Sequence, residues 1–246
     1  MSVDAVIFDW GGTLTPWMDI DGRHWPRLTD GLVAAGRLDP DRAAEVVAAL
    51  TVAEAEAWRL ARDEHRSGRL EDMFAAVGLE LDEMSYALYC AEWEWATYLD
   101  PDVPALFEAL RARGVKVGVL SNTVWPRRMH EEIFARDGVL HLIDGAVYTS
   151  EIPWTKPHPE AFAAAMTSVG VTDAGRCVFV GDRPFDDIFG ARQAGMRPVL
   201  LPHSRIPDVQ RGHTDGEPDA VVQRLSEVVD LVDEWLLSGT SGRPRS

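Results

Sequence analysis

A short apolar run that ends at a carboxylate constrains the fold of this chain more than any other feature. Residues 3–8 are mostly apolar, and Asp9 follows them directly, ahead of Gly11, Gly12 and Thr13. A parallel strand covered on both faces reads as such a run, and open α/β sheets bind ligands just beyond the carboxyl ends of these strands. The segment predicts a buried strand that presents Asp9 at a ligand-binding edge, and the alternative is an Asp that begins a turn.

Three further segments carry polar groups of the kind that phosphoryl transfer requires. Residues 115–120 form an apolar run that leads into Ser121 and Asn122. Lys156 lies in a loop just ahead of a helix that prolines help to start. Another apolar run ends at Asp182, which opens a cluster of carboxylates suited to holding a hard cation. All of these groups are expected at the same edge of one sheet.

The choice of lysine over arginine singles out Lys156 independently. The chain has 24 Lys and Arg residues, of which only Lys116 and Lys156 are lysines. Lysine carries a compact charge on a flexible stem, whereas the guanidinium of arginine is a planar fork. We therefore expect Lys156 to reach a pocket at the strand ends, the alternative being an exposed lysine in a polar loop.

At these residues the chain resembles the haloacid dehalogenase (HAD) superfamily of phosphatases and related hydrolases. The resemblance runs over about residues 3–237 and rests on four motifs in order. These are the loop from Asp9 to Thr13, Ser121, Lys156, and the acidic pair Asp182 and Asp187. Each motif is weak alone, but four in order at compatible spacing are a strong signal.

The resemblance implies a set of site residues and a Mg²⁺ cofactor. The implied catalytic residues are Asp9 as nucleophile, Ser121 and Lys156. The implied substrate-binding residues are Gly12, Thr13, Ser121, Asn122 and Lys156. The implied metal ligands are the Asp9 carboxylate, the Gly11 carbonyl, and the Asp182 and Asp187 carboxylates, with Asp186 as the rival to Asp187. Mg²⁺ suits a site made of oxygen ligands that keeps several waters.

Gly11 departs from the phosphatases of this superfamily, which usually carry a second aspartate at that position. A main-chain carbonyl remains for the metal, but the carboxyl that protonates the leaving group and activates water is missing. General acid–base catalysis is typically worth about 10²–10⁴ in rate, so hydrolysis of poor leaving groups is expected to be slow unless another acid substitutes. Asp19, Asp21 and His24 are the nearest candidates, and solvated loop residues are the alternative for them.

The alternation of apolar patterns predicts an α/β fold, with a Rossmann-like parallel sheet core, helices on both faces and an inserted all-helical cap domain. Strands are predicted at 3–9, 115–120, 146–149, 177–181 and 198–202. Helices are predicted at 103–113, 126–136, 158–169, 187–194 and 223–237. The predicted core is 1–15 with 101–237, the cap is 16–100, and a disordered tail is 238–246. In the cap, an apolar stripe is expected to be buried: Leu81, Met84, Leu88, Ala91, Trp95 and Tyr98.

Composition limits the partners of the chain. A formal net charge of −16 argues against nucleic-acid binding, because phosphate backbones would be repelled overall. Cys90 and Cys177 lie in different predicted domains, so no disulfide is expected and a reducing compartment fits. No long apolar stretch predicts a membrane segment. We expect a cytoplasmic monomer or homodimer.

The predicted activity is Mg²⁺-dependent hydrolysis of a small phosphorylated metabolite through an aspartyl-phosphate intermediate. A binding or regulatory protein that has lost turnover is the main alternative. Dehalogenation is a minor one, because it needs no acidic pair beside the nucleophile. Phosphonate hydrolysis in this superfamily uses a cap lysine, and residues 16–100 contain none.

Substrate identity is not predicted, but two groups of residues are candidates for its recognition. Tryptophans near the motifs, either stacking against substrate or packing in the core, are Trp10, Trp17, Trp125 and Trp154. Cationic candidates for a second anionic group, or else for solvated helix faces, are Arg59, Arg62, His65, Arg66, Arg127 and Arg128.

Overall fold

A six-stranded parallel sheet forms the centre of the molecule. The structure is a computed structural model that describes residues 2–17, 22–202 and 216–240. The strands are β1 (Ala5–Phe8), β2 (Lys116–Ser121), β3 (Gly145–Tyr148), β4 (Cys177–Gly181), β5 (Arg197–Leu200) and β6 (Ala220–Val221). Their order in the sheet is β3-β2-β1-β4-β5-β6, and every pairing is parallel. The predicted α/β fold with a parallel sheet is confirmed, and β6 is an edge strand that the sequence patterns did not predict.

Strand β1 lies in the middle of this sheet, as its apolar sequence requires. All four of its residues are buried, and it pairs with β2 on one side and β4 on the other. Side chains of a strand alternate between the two faces of the sheet. Val6 and Phe8 accordingly join one hydrophobic cluster, while Ala5 and Ile7 join another. Apolar packing on both faces explains why an uninterrupted apolar run is the stable choice here.

Helices cover both faces of the sheet and form a separate insert between β1 and β2. The helices are α1 (His24–Ala34), α2 (Ala43–Glu64), α3 (Leu70–Ala76), α4 (Glu83–Trp93), α5 (Val103–Ala112), α6 (Arg127–Arg136), α7 (Pro159–Ser168), α8 (Gly190–Gln193) and α9 (Glu227–Thr240). We call residues 22–100 the helical insert, which contains α1 to α4. Trp25, Tyr89 and Trp93 of the insert belong to the same hydrophobic cluster as Phe8 and Trp125 of the sheet domain. The insert therefore packs directly on the sheet domain.

The predicted apolar stripe on the last long helix of the insert is only partly confirmed, because Leu81 and Leu88 pack against the core whereas its larger side chains are exposed. Met84, Trp95 and Tyr98 are 46%, 47% and 53% exposed. The buried side chains of α4 are instead Ser85, Tyr86, Tyr89 and Trp93. The helix ends at Trp93, so Trp95 and Tyr98 do not continue its helical phase, and the aromatic face with its polar tips is the one that packs.

Two further boundaries differ from the sequence predictions. A π-helical turn over Pro184–Phe189 leads into the short α8, where a regular helix over 187–194 was predicted. Helix α9 continues to Thr240, three residues into the segment predicted as a tail, and residues 241–246 lie outside the described residues. Both Cys90 and Cys177 are free thiols. Among the helices described, none is both long and apolar enough to cross a membrane.

Candidate active site

Asp9 lies at the carboxyl end of β1, where the fold brings the loops after β2 and β4 together. The Asp9 N–H donates a hydrogen bond to the Val180 carbonyl at 2.9 Å, which extends the β1–β4 ladder to the site. The Asp9 residue is only 6% exposed. Thr13 Oγ1 donates to Asp9 Oδ2 over a long 3.4 Å. The central strand thus presents a desolvated carboxylate at the ligand-binding edge of the sheet.

Lys156 joins two carboxylates that lie beyond the ends of different strands, Asp9 after β1 and Asp187 after β4. Its Nζ donates to Asp9 Oδ1 at 2.6 Å and to Asp187 Oδ1 at 2.7 Å. The lysine residue is 2% exposed and Asp187 is fully buried. Charged groups this deeply buried are stable only when they are paired, so the two carboxylates hold the lysine ammonium at the site.

Asn122 positions this lysine through its backbone. Asn122 Nδ2 donates to the Lys156 carbonyl at 3.0 Å, and the Lys156 N–H donates to Asn122 Oδ1 at 2.8 Å. Both ends of the Asn122 amide are therefore engaged within the protein. These bonds join the loop after β2 to the Lys156 loop, and the expected contact of Asn122 with substrate stays a prediction.

Asp9, Asp182 and Asp187 form a buried acidic cluster. Each offers a carboxylate oxygen that lies within 4.8 Å of the others. Asp182 is only 2% exposed, and both of its carboxylate oxygens are buried. Neither oxygen accepts a hydrogen bond within the described part of the chain. Asp186 is not one of these three residues, and its side chain is 27% exposed and lies 3.6 Å from Arg183. The structure therefore brings Asp187, and not its rival, beside Asp9.

The electrostatics of the cluster favour an additional cation. Lys156 pairs with Asp9 and Asp187, and the Arg183 guanidinium is the second cation beside the cluster. With Asp182 and Asp186, four carboxylates thus face two cations, which leaves a surplus of negative charge. Burial raises the pKa of Asp9 although Lys156 opposes this, and burial together with Asp9 and Asp187 raises the pKa of Asp182 well above its usual range. Burial also acts to lower the pKa of Lys156, but Asp187 and Asp9 outweigh it and the net pKa is raised. A divalent cation would offset this charge, and carboxylate oxygens are ligands that Mg²⁺ prefers.

Glycines shape the backbone beside these carboxylates. Gly12 has φ +89°, and a Cβ there would lie 2.5 Å from Asp182 Oδ2. A Cβ on Gly181 would lie 2.4 Å from Asp187 Cγ. By contrast, a Cβ on Gly11 would meet nothing within 4 Å. Gly12 and Gly181 are thus required for the close approach of the carboxylates, whereas Gly11 leaves open space.

Ser121 lies at the candidate site, whereas His24, a predicted substitute for the missing acid, is paired within the helical insert. Ser121 is 2% exposed and ends β2, at the same edge as Asp9. His24 lies in the helical insert with Nε2 3.1 Å from Glu54 Oε2. Asp19 and Asp21 lie outside the described residues.

Two of the four candidate tryptophans pack in an aromatic cluster between the insert and the sheet domain. The Trp10 ring lies 5.4 Å from Trp125 and 4.9 Å from His130, and Trp125 lies 5.0 Å from Trp93. The pKa of His130 is lowered to about 3 by burial and by Arg127, so its ring is neutral. Trp10 and Trp125 thus follow the packing alternative, although no pattern in the sequence identified Trp93 and His130 as their partners.

The other two candidate tryptophans lie beside motif loops. Trp154 stacks on His158 with ring centroids 4.1 Å apart. The Arg183 guanidinium lies 5.4 Å from the Trp17 ring centroid.

Most of the candidate cationic side chains are engaged with carboxylates. Arg59 pairs with Glu56 and Glu64, and Arg62 pairs with Asp63. Arg127 pairs with Glu131 and Glu151, and Arg128 pairs with Glu83 and Glu132. These pairs support the interpretation as solvated helix faces.

Comparisons with known proteins agree with this geometry. The family model of haloacid dehalogenase-like hydrolases matches residues 3–195. Glyceraldehyde 3-phosphate phosphatase from Methanopyrus kandleri is 33% identical over 134 residues, which are 54% of this chain and 56% of that relative. The chain matches little more than half the length of this and the next such relative, at 56% and 58%. Phosphatase MT3486 from Mycobacterium tuberculosis is 29% identical over 252 residues, covering 95% of this chain and 98% of that protein.

Solved structures share the fold over nearly the whole chain. A HAD phosphatase from Thermococcus onnurineus superposes with a TM-score of 0.64 at 22% identity, covering 94% of this chain and 98% of that one. A 2-haloacid dehalogenase from Pseudomonas syringae pv. Tomato DC3000 superposes with a TM-score of 0.62 at 25% identity, covering 95% and 99%. With a family model that covers most of the chain, and with the four motifs assembled at one edge of a parallel sheet, this protein is a hydrolase of the haloacid dehalogenase-like family.

Proposed function

We propose that this hydrolase is a Mg²⁺-dependent phosphatase that acts on a small phosphorylated metabolite through an aspartyl phosphate on Asp9. The observation that carries the proposal is the pair of buried Asp182 oxygens without hydrogen-bond partners in the described chain, beside Asp9 and Asp187. A buried carboxylate without partners is costly, and a bound cation removes that cost. The name of the relative that matches nearly the whole chain, a phosphatase, supports the same activity.

Asp9 is the nucleophile of the proposed reaction. One of its carboxylate oxygens attacks phosphorus, a new O–P bond forms, and the ester P–O bond breaks. The departing alkoxide takes a proton from water and leaves as the alcohol. Water then attacks the phosphorus of the aspartyl phosphate, the bond to Asp9 breaks, and inorganic phosphate leaves. Covalent catalysis of this kind divides one difficult displacement into two easier ones.

Lys156 and the groups at the strand ends stabilise the negative charge of the nucleophile and of the phosphoryl group in this reaction. The Lys156 ammonium is 2.6 Å from Asp9 Oδ1, so it reduces the repulsion between the nucleophile and an incoming phosphoryl group. Ser121 and the loop amides after β1 would hold phosphoryl oxygens. Mg²⁺ would be held by the Asp9, Asp182 and Asp187 carboxylates with the Gly11 carbonyl, and when bound it supplies compensating positive charge.

The dehalogenase alternative lacks a supporting observation. Solved dehalogenases share the fold, but fold alone does not determine chemistry. A reaction without a metal gives no role to the unpartnered Asp182 oxygens. The acidic cluster therefore favours phosphate ester hydrolysis.

The test is a screen of phosphorylated metabolites and aryl phosphates, with and without Mg²⁺, using wild-type protein and Asp9→Asn. We expect phosphate release that requires Mg²⁺, stops in excess chelator and is abolished in Asp9→Asn, because the amide is a poor nucleophile. Circular dichroism of the variant checks its fold. Full activity in chelator, or substantial turnover by folded Asp9→Asn, would refute the mechanism. Tight binding of orthovanadate without any turnover would instead favour the binding-protein alternative.

A further inference from the structure

The segment between α2 and α3 of the helical insert lies directly on the loop that carries Lys156. The Ser67 N–H donates to the Pro153 carbonyl at 3.1 Å, and the Thr155 N–H donates to the His65 carbonyl at 2.9 Å. Thr155 immediately precedes the lysine that contacts the nucleophile. The insert is thus hydrogen-bonded to the site loop through its backbone.

The same segment also reaches the loops after β2 and β4. At one end, the Leu70 N–H donates to the Val124 carbonyl at 2.8 Å, three residues beyond Ser121. At the other end, the His65 ring lies 6.2 Å from the ring of Phe185, two residues before Asp187. Residues 65–70 therefore contact three of the four loops that build the candidate active site.

Two polar side chains of this segment are shielded from solvent without a hydrogen-bond partner. His65 Nδ1 and Ser67 Oγ are both buried atoms that make no hydrogen bond within the described residues. Arg66, between them, is exposed, so these two buried polar atoms flank a solvent-facing cation. Buried polar groups in native proteins are almost always paired, and unpaired ones in a site await a ligand or water.

We propose that His65 and Ser67 determine specificity by hydrogen-bonding a hydroxyl group on the leaving alcohol of the substrate. A serine hydroxyl both donates and accepts, and a histidine ring nitrogen does one or the other according to its tautomer. A ligand hydroxyl also donates and accepts, so it can form hydrogen bonds with both Ser67 Oγ and His65 Nδ1. A carboxylate on the ligand would only accept, and it would pair better with the exposed Arg66. The inference rests on the proposed phosphatase function and adds the class of substrate, a small hydroxylated phosphate ester.

The test compares two alkyl phosphates that differ only in hydroxyl groups, glycerol 1-phosphate and propyl phosphate, in saturating Mg²⁺. Ser67→Ala removes one hydroxyl and retains the backbone bond to Pro153. His65→Gly removes the ring and suits the left-handed φ of +54° at this position. His65→Asn also tolerates that conformation and restores a polar atom near Nδ1. Arg69→Ala, on the same segment with its side chain 55% exposed, is the control.

For glycerol 1-phosphate we expect Ser67→Ala and His65→Gly each to lower kcat/KM by about 3- to 10-fold, mainly through KM, since one neutral hydrogen bond is lost. Propyl phosphate should change less than 2-fold, His65→Asn should recover part of the loss, and Arg69→Ala should match wild type. Equal losses on both esters would show a merely structural role and would overturn this inference while leaving the proposed phosphatase function intact. A loss on 3-phosphoglycerate without a loss on glycerol 1-phosphate would show recognition of a carboxylate and would also overturn it. Failure of wild type to hydrolyse any ester would refute the proposed function, and the inference with it.

Discussion

At the scale of single residues, two adjacent glycines after the nucleophile have opposite requirements. Gly12 adopts φ +89°, and its missing Cβ makes room for Asp182. Gly11 has open space around a hypothetical Cβ and no positive φ. The chain therefore lacks an aspartate at position 11 for no steric reason, and the missing carboxyl is a chemical feature of the site.

Gly11→Asp is expected to fold and to speed the hydrolysis of alkyl phosphates more than that of aryl phosphates. The new carboxyl would protonate poor leaving groups, and general acid catalysis is worth about 10²–10⁴ in rate. Steady-state kinetics on the two ester classes measure this. Gly12→Ala is the matched control and should lose activity and stability, because its Cβ would lie 2.5 Å from Asp182. If folded Gly11→Asp gains nothing on alkyl phosphates, another group already supplies the proton.

The two lysines provide a second comparison between residues. Lys156→Met removes the ammonium between two buried carboxylates and is expected to lower kcat by at least about 10²-fold, since electrostatic stabilisation is a large catalytic term. Lys116→Met should leave kcat within about 2-fold, because that side chain, at the start of β2, is 53% exposed and pairs with the Asp144 carboxylate away from the site. Initial rates on p-nitrophenyl phosphate decide the comparison. Similar losses in both variants would remove Lys156 from the mechanism.

At the scale of elements, helix α4 shows how the choice of packing face depends on where a helix ends. Trp93 is 8% exposed and contacts Trp125 of the sheet domain, whereas Trp95 is 47% exposed. The Tyr89 hydroxyl accepts from Trp125 Nε1 at 2.9 Å, which adds a polar contact to the same face. The aromatic face of α4 therefore joins the insert to the sheet domain.

Trp93→Ala is expected to lower the free energy of unfolding by about 3–5 kcal/mol, because it leaves a large cavity between the insert and the sheet domain. Trp95→Ala should change it by less than about 1 kcal/mol, since the side chain is half exposed. Urea denaturation followed by circular dichroism measures both values. A larger loss of unfolding free energy in Trp95→Ala than in Trp93→Ala would instead support burial of the apolar stripe that the sequence pattern predicted.

At the scale of the whole molecule, the acidic cluster links stability to pH and to metal. The pKa values of Asp9 and Asp182 are raised in the folded protein, mainly by burial, so the folded state binds more protons than the unfolded state over the interval between unfolded and folded pKa values. Stability from these groups is fully present below the unfolded pKa and is lost as pH rises through the folded pKa. Metal-free protein thus carries a cost at neutral pH that a bound cation would remove.

We expect the free energy of unfolding in chelator to fall less steeply with rising pH in Asp182→Asn than in wild type, because the amide cannot ionise. The comparison between the two proteins cancels the opposite contributions of surface carboxylates such as Asp82 and Asp144, whose pKa values are lowered. Mg²⁺ should raise the unfolding midpoint of wild type at neutral pH and have little effect on Asp182→Asn. Parallel pH profiles, or equal Mg²⁺ effects, would place the metal elsewhere.

The sequence by itself determined the central strand, the order of the motif loops and the edge of the sheet at which they meet. Apolar runs that end at Asp9, Ser121 and Asp182 are sufficient for this, because parallel strands buried on both faces place their carboxyl ends together. Lys156 was also predictable, since lysine is rare in the chain. These are local patterns, and their physical meaning can be derived from the residues of each segment without knowledge of its tertiary partners.

Only the tertiary structure decided which groups touch. The engagement of Asn122 with Lys156, the position of Asp187 rather than Asp186 beside Asp9, and the backbone contacts of residues 65–67 with the Lys156 loop all depend on loops that are distant in sequence. The packing face of α4 likewise depends on a partner, Trp125, contributed by the sheet domain. Such contacts result from complementary packing and from the pairing of buried charges, and neither leaves a periodic signal along the chain.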